Sequence, residues 1–352
     1  MTIMLERVRY PLGLNENPYG PLPSVRHALE RAVLSTNRYP EMLPHGLSRL
    51  IADRIGCPPE QIVVGAGATG VIHYILQAFV TDTLPRVVLA DPTFDGYPIL
   101  VEAVGGHAIH IPLTSDGFHD VDAMVAAADD RTAVVVLCNP HNPTGTQLGP
   151  HELLGFLNRI DSRTVVLLDE AYIDFVDPEL RMDAMTLLAA FPNVIVVRTF
   201  SKAFGLAGLR VGFAVADPRI AAHIAGRQIP FGMNALAEVG VAACYAAEDD
   251  LNALVYAITN ERDRLSNALR RLGYALPVSS ANHIFVPLSE PDLIHRIADA
   301  FASSGIRVRR YPTGMRITVG TRAANETVLA CLAAARDEAL DTSPEGQRFF
   351  PV

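Results

Sequence analysis

Between residues 61 and 215 seven short apolar runs alternate with stretches of helical period. The runs are Gln61–Val64, Arg86–Ala90, Ala108–Ile111, Ala133–Cys138, Val165–Asp169, Val194–Arg198 and Gly212–Val215, each rich in Val, Ile or Leu and bounded by Gly, Pro or Asp. Runs this apolar lack the in–out alternation of a half-exposed strand, so both faces must be covered. The patterns between them, such as Val71–Val80, Tyr97–Val104, Asp122–Ala127 and Gly149–Arg159, supply the covering helices. The alternation predicts an α/β domain with a mostly parallel seven-stranded sheet. Ligands of such sheets sit at the carboxyl ends of the strands.

The texture changes after Asn234. One long helical stretch, Ala235–Leu272, precedes a strand at His283–Pro287, a helix at Asp292–Ser303, strands near Ile306–Arg310 and Met315–Val319, and a helix at Ala324–Leu340. This predicts a smaller α+β C-terminal domain. The expected division is an N-terminal arm at 1–34, extended through Pro23, a large domain at 35–234 and a small one at 235–352, with Ser343–Val352 a loose tail.

The formal charge of −9 argues against a nucleic-acid binder and suits an enzyme of small molecules. Cys57, Cys138, Cys244 and Cys331 form no ligand spacing, so neither a metal nor a disulfide framework is expected. Met1–Tyr10 has no apolar core of a signal peptide, and no apolar run is long enough to cross a bilayer. A cytoplasmic protein is expected.

Among the basic residues, 28 are Arg and one is Lys. Most surface positions accept either cation, but only lysine can become a neutral amine nucleophile. Lys202 lies in TFSKAFGLAGLRVGF, Thr199–Phe213, just after an apolar run. Thr199, Ser201 and Arg210 are anion ligands, and the glycines allow close backbone approach. A surface lysine on a glycine-rich turn is the plainer alternative.

Four further motifs follow strand ends. In LLDEAYIDF, Asp169 can pair with a protonated pyridine nitrogen and Tyr172 can reach a phenolic oxygen, or Asp169 merely caps a helix. In LCNPHNPTGT, Asn142 can donate to an anionic oxygen, or serves a rigid turn, and His141 reads as a loop residue. In VVGAGATGVI, the backbone of Ala66, Gly67 and Ala68 runs into a helix N-terminus and can cradle an anion. A nicotinamide-binding loop is the rival there, but no GxGxxG occurs. In ADPTFDGYP, Phe94 can stack on a planar cofactor or fill the core. Arg316, opening the strand of MRITVGTR, can hold a carboxylate or phosphate, or form a surface ion pair.

Together with LNENPYG near the start and RYPE at Arg38–Glu41, these motifs in this order resemble the fold type I aminotransferases that use pyridoxal phosphate, with the closest likeness to histidinol-phosphate and aromatic-amino-acid aminotransferases. The resemblance implies that Lys202 carries the cofactor as a Schiff base and acts as the general base. It implies that Asp169 pairs with the pyridine nitrogen, that Asn142 and Tyr172 hold the phenolic oxygen and that Phe94 stacks on the ring. Thr199, Ser201, Arg210 and the Ala66–Gly67–Ala68 backbone would bind the phosphate. Tyr39 would reach the phosphate of a partner subunit in a homodimer. Arg316 would anchor the substrate anion, with Asn15, Tyr19, Arg322 and Phe231 nearby. The implied reaction moves an amino group from histidinol phosphate or an aromatic amino acid to 2-oxoglutarate, with ping-pong kinetics.

Two departures bear on the donor. Gly67-Ala68-Thr69 stands where many histidinol-phosphate members carry an acidic pair, and Phe231 where many carry Tyr. A decarboxylase or an oxidase of amino acids on the same scaffold is the alternative reaction. A cofactor-sensing regulator would need a DNA-binding domain and a basic face.

Overall fold

A computed structural model describes residues 8–342. The tail Ser343–Val352 and the first seven residues lie outside the described residues. The strands are β1 (Tyr10–Pro11), β2 (Ile62–Ala66), β3 (Arg86–Asp91), β4 (His107–Pro112), β5 (Thr132–Cys138), β6 (Val165–Asp169), β7 (Val194–Thr199), β8 (Val211–Val215), β9 (His283–Pro287), β10 (Ile306–Arg307), β11 (Arg309–Tyr311) and β12 (Gly314–Thr318). The expected seven-stranded sheet forms in the order β2-β8-β7-β6-β5-β3-β4. It is parallel except for β8, which runs antiparallel to both neighbours.

The apolar runs are continuous because each strand feeds two cores. Val135, Leu137, Val166, Leu168 and Val196 face one side, where they meet Leu153 and Phe156 of helix Pro150–Leu157 and Leu187 of helix Ala184–Ala190. Their neighbours Val134, Val136, Leu167, Ile195 and Val197 face the other, against Val71, Ile75 and Leu76 of helix Gly67–Phe79 and Val101 of helix Gly96–Ala103. The period of two thus divides one strand between two helical layers.

The C-terminal part has its own core. Strands β11-β12-β9 form an antiparallel sheet. Ile284, Val286, Met315 and Ile317 pack on Leu265 and Leu269 of helix Glu248–Arg271, Phe301 of helix Pro291–Ser303, and Val328 and Leu332 of helix Arg322–Thr342.

Two expectations are corrected here. The stretch 235–272 is not one helix but two, Ala237–Tyr245 and Glu248–Arg271. Glu248, Asp249 and Asp250 occupy the first turn of the second, where acids suit a helix start and its dipole. The strand expected over 306–310 is divided. β11 joins the small sheet, while β10 pairs in parallel with β1. That pairing ties the start of the chain to its end, and Leu12 is buried in the C-terminal core. Helix Pro23–Ala32 instead buries Val25 in a core of the large sheet.

Candidate active site

The carboxyl ends of β5, β6 and β7 open on a cavity of about 460 Å³, closed from the far side by residues after β1 and by β11 and β12. On one flank β2 turns directly into helix Gly67–Phe79, whose N-cap, Ala66, has no side chain to offer the free backbone N–H groups. Gly67 adopts φ +75°, and a Cβ there would lie 2.3 Å from the Arg210 guanidinium. A Cβ on Gly212 would lie 2.2 Å from the Ala68 nitrogen. Both glycines are therefore steric requirements: one lets Arg210 pass, the other lets β8 lie against the turn. Arg210 Nη1 donates to Ser201 Oγ at 3.4 Å and to the Ala207 carbonyl at 2.9 Å. Thr199 Oγ1 donates to Ser201 Oγ at 3.0 Å. A guanidinium, two hydroxyls and a helix N-terminus converge on one spot, which is the composition of a phosphate cradle.

Asp169 ends β6 and is 4 % exposed. Tyr97 Oη donates to its Oδ2 at 2.6 Å and the Ala171 N–H to its Oδ1 at 3.0 Å. Burial holds its pKa above the ordinary carboxylate value, against the opposing pull of Tyr97, Ala171 and Lys202. Asp169 does not cap an α-helix, because the next element is the short 3-10 turn Ile173–Phe175, whose N-cap is Tyr172. Phe94 sits beside it, edge-to-face on Tyr97 with centroids 5.3 Å apart. Gly96 makes room for that ring, since a Cβ there would lie 2.4 Å from it.

Lys202 Nζ donates to the Leu14 carbonyl at 2.9 Å and lies 5.8 Å from the centre of the Tyr172 ring. Its pKa is lowered to about 8, first by burial and then by Arg316 and Arg210, with Glu16 and Asp169 pulling the other way. A lysine so depressed is a usable nucleophile and base near neutral pH.

Arg316, on β12, is 6 % exposed and has no carboxylate partner among the described residues. Its Nη1 donates to Asn142 Oδ1 and its Nη2 to the Gly13 carbonyl, both at 2.5 Å. A surface ion pair is thus ruled out. With Asn142 Oδ1 taken by Arg316, its amide NH2 is left to donate. Asn15, wholly buried, donates through Nδ2 to Tyr172 Oη at 2.9 Å.

The remaining expected residues are not brought to this cavity. Arg322 points outward on the final helix, 3.8 Å from Glu326 and 70 % exposed, because the chain has already left the sheet edge. Tyr19 is exposed, as are Tyr39 and Phe231, whose rings meet at a tilt of 49° with centroids 5.1 Å apart. His141 lies in the loop after β5, as expected. It is fully buried, bonded to Thr144 Oγ1 at 2.9 Å and packed on His119 at 4.5 Å between centroids. Burial, His119 and His283 push its pKa far down.

Sequence reasoning missed Tyr97, Thr69, Glu16 and the Arg309–Asp95 pair, bonded at 2.7 Å beside the cavity. Tyr97 lay in the motif that named Phe94, but nothing local shows that its hydroxyl meets Asp169. Among the described residues no group of three or more His, Cys, Asp or Glu could hold a metal ion, and no helix is long and apolar enough to cross a membrane.

The donor set fits pyridoxal phosphate. The cradle that Gly67 keeps open would suit the phosphate, the buried Asp169 carboxyl the ring nitrogen, and the Lys202 amine the aldehyde carbon. Fold and site together define an enzyme of pyridoxal phosphate. The chain belongs to the aminotransferase class I and II family, whose sequence model matches residues 10–332, and it is a PLP-dependent aminotransferase. It is 42 % identical over 324 residues to the aromatic amino acid aminotransferase of Streptomyces avermitilis, covering 92 % of this chain and 89 % of the relative. To the aromatic amino acid aminotransferase of Rhodococcus jostii it is 40 % identical over 320 residues, covering 91 % and 88 %. Its fold matches the crystal structure of histidinol-phosphate aminotransferase from Sinorhizobium meliloti in complex with pyridoxal-5'-phosphate, with a TM-score of 0.86, 28 % identity, and coverage of 93 % and 90 %.

Proposed function

We propose that the amino donor is an aromatic amino acid and the acceptor a 2-oxo acid, 2-oxoglutarate being the expected one, in a ping-pong cycle. The observation that carries this reading is Arg316, a buried guanidinium bonded only to neutral oxygens in the cavity that holds Lys202. A carboxylate replaces those oxygens with a charge-assisted fork. The apolar side chains of Leu14, Ile72 and Phe94 line the same cavity and suit an aromatic side chain better than a phosphate. The names of the relatives at 40–42 % identity agree.

The residues divide the work. Pyridoxal phosphate, when bound, supplies an electron sink for the charge left at the amino acid's Cα. Asp169 holds a proton at the ring nitrogen. Asn142 and Tyr172 donate to the phenolic oxygen, and Phe94 covers the ring. Thr199, Ser201, Arg210 and the Ala66–Gly67–Ala68 backbone fix the phosphate. Arg316 orients the amino acid by its carboxylate. The Lys202 amine would act as the base that removes the Cα proton and would return it to the cofactor carbon on the far side of the substrate nitrogen, C4′. With a pKa near 8, a useful fraction of it is neutral at neutral pH.

The exposed apolar set Leu34, Tyr39, Met42, Ile229 and Phe231 supports a homodimer in which Tyr39 reaches the partner's phosphate cradle. Tyr19 would then face the substrate at the interface. The four free cysteines suit a reducing cytoplasm. The arm, large-domain and small-domain boundaries at 34 and 234 belong to the same proposal.

A donor panel with 2-oxoglutarate tests the reading: phenylalanine, tyrosine, histidine and histidinol phosphate, with carbon dioxide and peroxide followed in parallel. Phenylalanine and tyrosine should exceed histidinol phosphate in kcat/KM by at least about tenfold. Preference for histidinol phosphate would overturn the donor. Gas or peroxide without an amino product would overturn the reaction. A monomer in sedimentation would overturn the shared site.

A further inference from the structure

In SSANHIF, His283 opens β9 as the one polar side chain in an otherwise apolar strand, yet it is wholly buried. Its ring stands edge-to-face on Tyr172, with centroids 5.0 Å apart and planes at 73°. Its Nδ1 lies 3.0 Å from Asn15 Nδ2, the same nitrogen that donates to Tyr172 Oη at 2.9 Å.

The proton positions follow from the partners. The Asn15 backbone N–H donates to Thr318 Oγ1 at 2.9 Å, which leaves the Thr318 hydroxyl proton to donate to Asn15 Oδ1 at 3.1 Å. The amide oxygen of Asn15 therefore faces Thr318 and its NH2 faces the two rings. An amide NH2 only donates, so His283 Nδ1 must accept, which makes the imidazole neutral with its proton on Nε2. Tyr172 Oη also accepts from Asn15. Its own proton must then point elsewhere, and the cavity holding Lys202 and Asn142 is the side left open. The charged and titratable groups around His283 are Arg316, Lys202, His141 and Tyr172. Burial and the two cations push its pKa well below the ordinary histidine value, so it stays an acceptor.

We propose that His283 is a positioning residue of the reaction: by accepting from Asn15 it fixes that amide as a donor to Tyr172 and so aims the Tyr172 hydroxyl proton at the cofactor's phenolic oxygen. The inference rests on Tyr172 facing that oxygen, and is independent of which amino acid is the donor.

The readout is the pH titration of the bound cofactor's visible absorption in the holoenzyme. A donor to the phenolic oxygen weakens that oxygen's hold on the proton it shares with the Lys202 nitrogen, so losing the donor raises the midpoint. His283→Phe keeps the ring's shape and removes Nδ1. It should raise the midpoint by roughly one pH unit and lower kcat about tenfold, with KM changed less than about twofold. His283→Asn returns an acceptor oxygen near the Nδ1 position and should bring the midpoint back toward that of the unaltered enzyme. Tyr172→Phe should raise the midpoint at least as far, and adding His283→Phe to it should raise it no further. An unmoved midpoint in His283→Phe beside a raised one in Tyr172→Phe would overturn the role of His283 alone. An unmoved midpoint in Tyr172→Phe would overturn the placing of Tyr172 as well. Nitrogen-15 shifts of the imidazoles in the unaltered enzyme need no variant: a buried His283 with its proton on Nε2 agrees, and one with its proton on Nδ1 sinks the proposal.

Discussion

The cradle around Arg210 is made from residues 66–69 and 199–212, where neighbouring strands β2, β8 and β7 of one sheet end and turn. The surroundings of Arg316 join Gly13, Asn15, Asn142, Tyr172, His283 and Thr318, which belong to or follow strands of three different sheets. The first region is shaped by contacts that leave no room for a methyl group at Gly67 or Gly212. The second is held by hydrogen bonds to neutral oxygens. Steric walls cannot be traded, whereas a carbonyl or amide oxygen on Arg316 can be exchanged for a substrate's carboxylate. On the proposed function, the comparison teaches that the side that would keep its ligand through every turnover is shaped by excluded volume. The side that would release its ligand is held by replaceable bonds.

The largest effect should come from Lys202, whose amine feels both Arg210 and Arg316. Lys202→Ala should lower kcat/KM by at least about 10⁴-fold and abolish borohydride-reducible attachment of the cofactor. A variant that kept the attachment would break the comparison at its centre. Arg316→Gln tests the exchangeable side: kcat/KM for the amino acid should fall about 100-fold, with cofactor affinity within about twofold, because a charge-assisted bond is lost only to the substrate. Gly67→Ala tests the steric side and should do the reverse. Cofactor affinity, followed by absorbance during dialysis, should fall roughly 30-fold from strain at positive φ and collision with Arg210, with KM for the amino acid little changed.

The next effect links the two sides through charge. Since the Lys202 pKa is lowered to about 8, the rate of cofactor attachment should rise with pH through about 8 and level off above it. The gain from pH 7 to the plateau should be about tenfold, following the neutral fraction of the amine. In Arg316→Gln the midpoint should move up, because a cation that disfavours the charged amine is gone. A midpoint unmoved by that substitution would uncouple the two regions. The smallest effect belongs to Arg309→Ala. Its half-exposed pair with Asp95 bridges the two sheets beside the cavity, and kcat/KM should change less than about fivefold.

How much of this was legible followed the same division. All seven strands of the large sheet were readable because burial on both faces leaves unbroken Val, Ile and Leu runs. Thr199, Ser201, Lys202 and Arg210 were readable because a strand end and its turn put them in one motif. The order of the strands, and the reversal of β8, were not in any local pattern. Nor was the reach of Tyr97 to Asp169, which crosses from the start of helix Gly96–Ala103 to the end of β6, 72 residues away. Arg316 was legible as an arginine opening a strand, but its neutral partners, and the failure of Arg322 to join it, depend on where β12 ends. The break between helices Ala237–Tyr245 and Glu248–Arg271 was signalled by three consecutive acids, which the helical period alone overrode.

The pairing of β1 with β10 has a consequence for the order in which the chain is made. Asn15 is made before its partners Tyr172, Asn282, His283 and Thr318, which follow it by 157 to 303 residues. The residues around Arg210 are all present once Gly212 has emerged, but the hydrogen bonds around Asn15 wait for Thr318. During synthesis the segment around Asn15 must therefore stay without its full set of partners until residue 318 has been added, long after the turn at Gly67 and its neighbour Gly212 can meet.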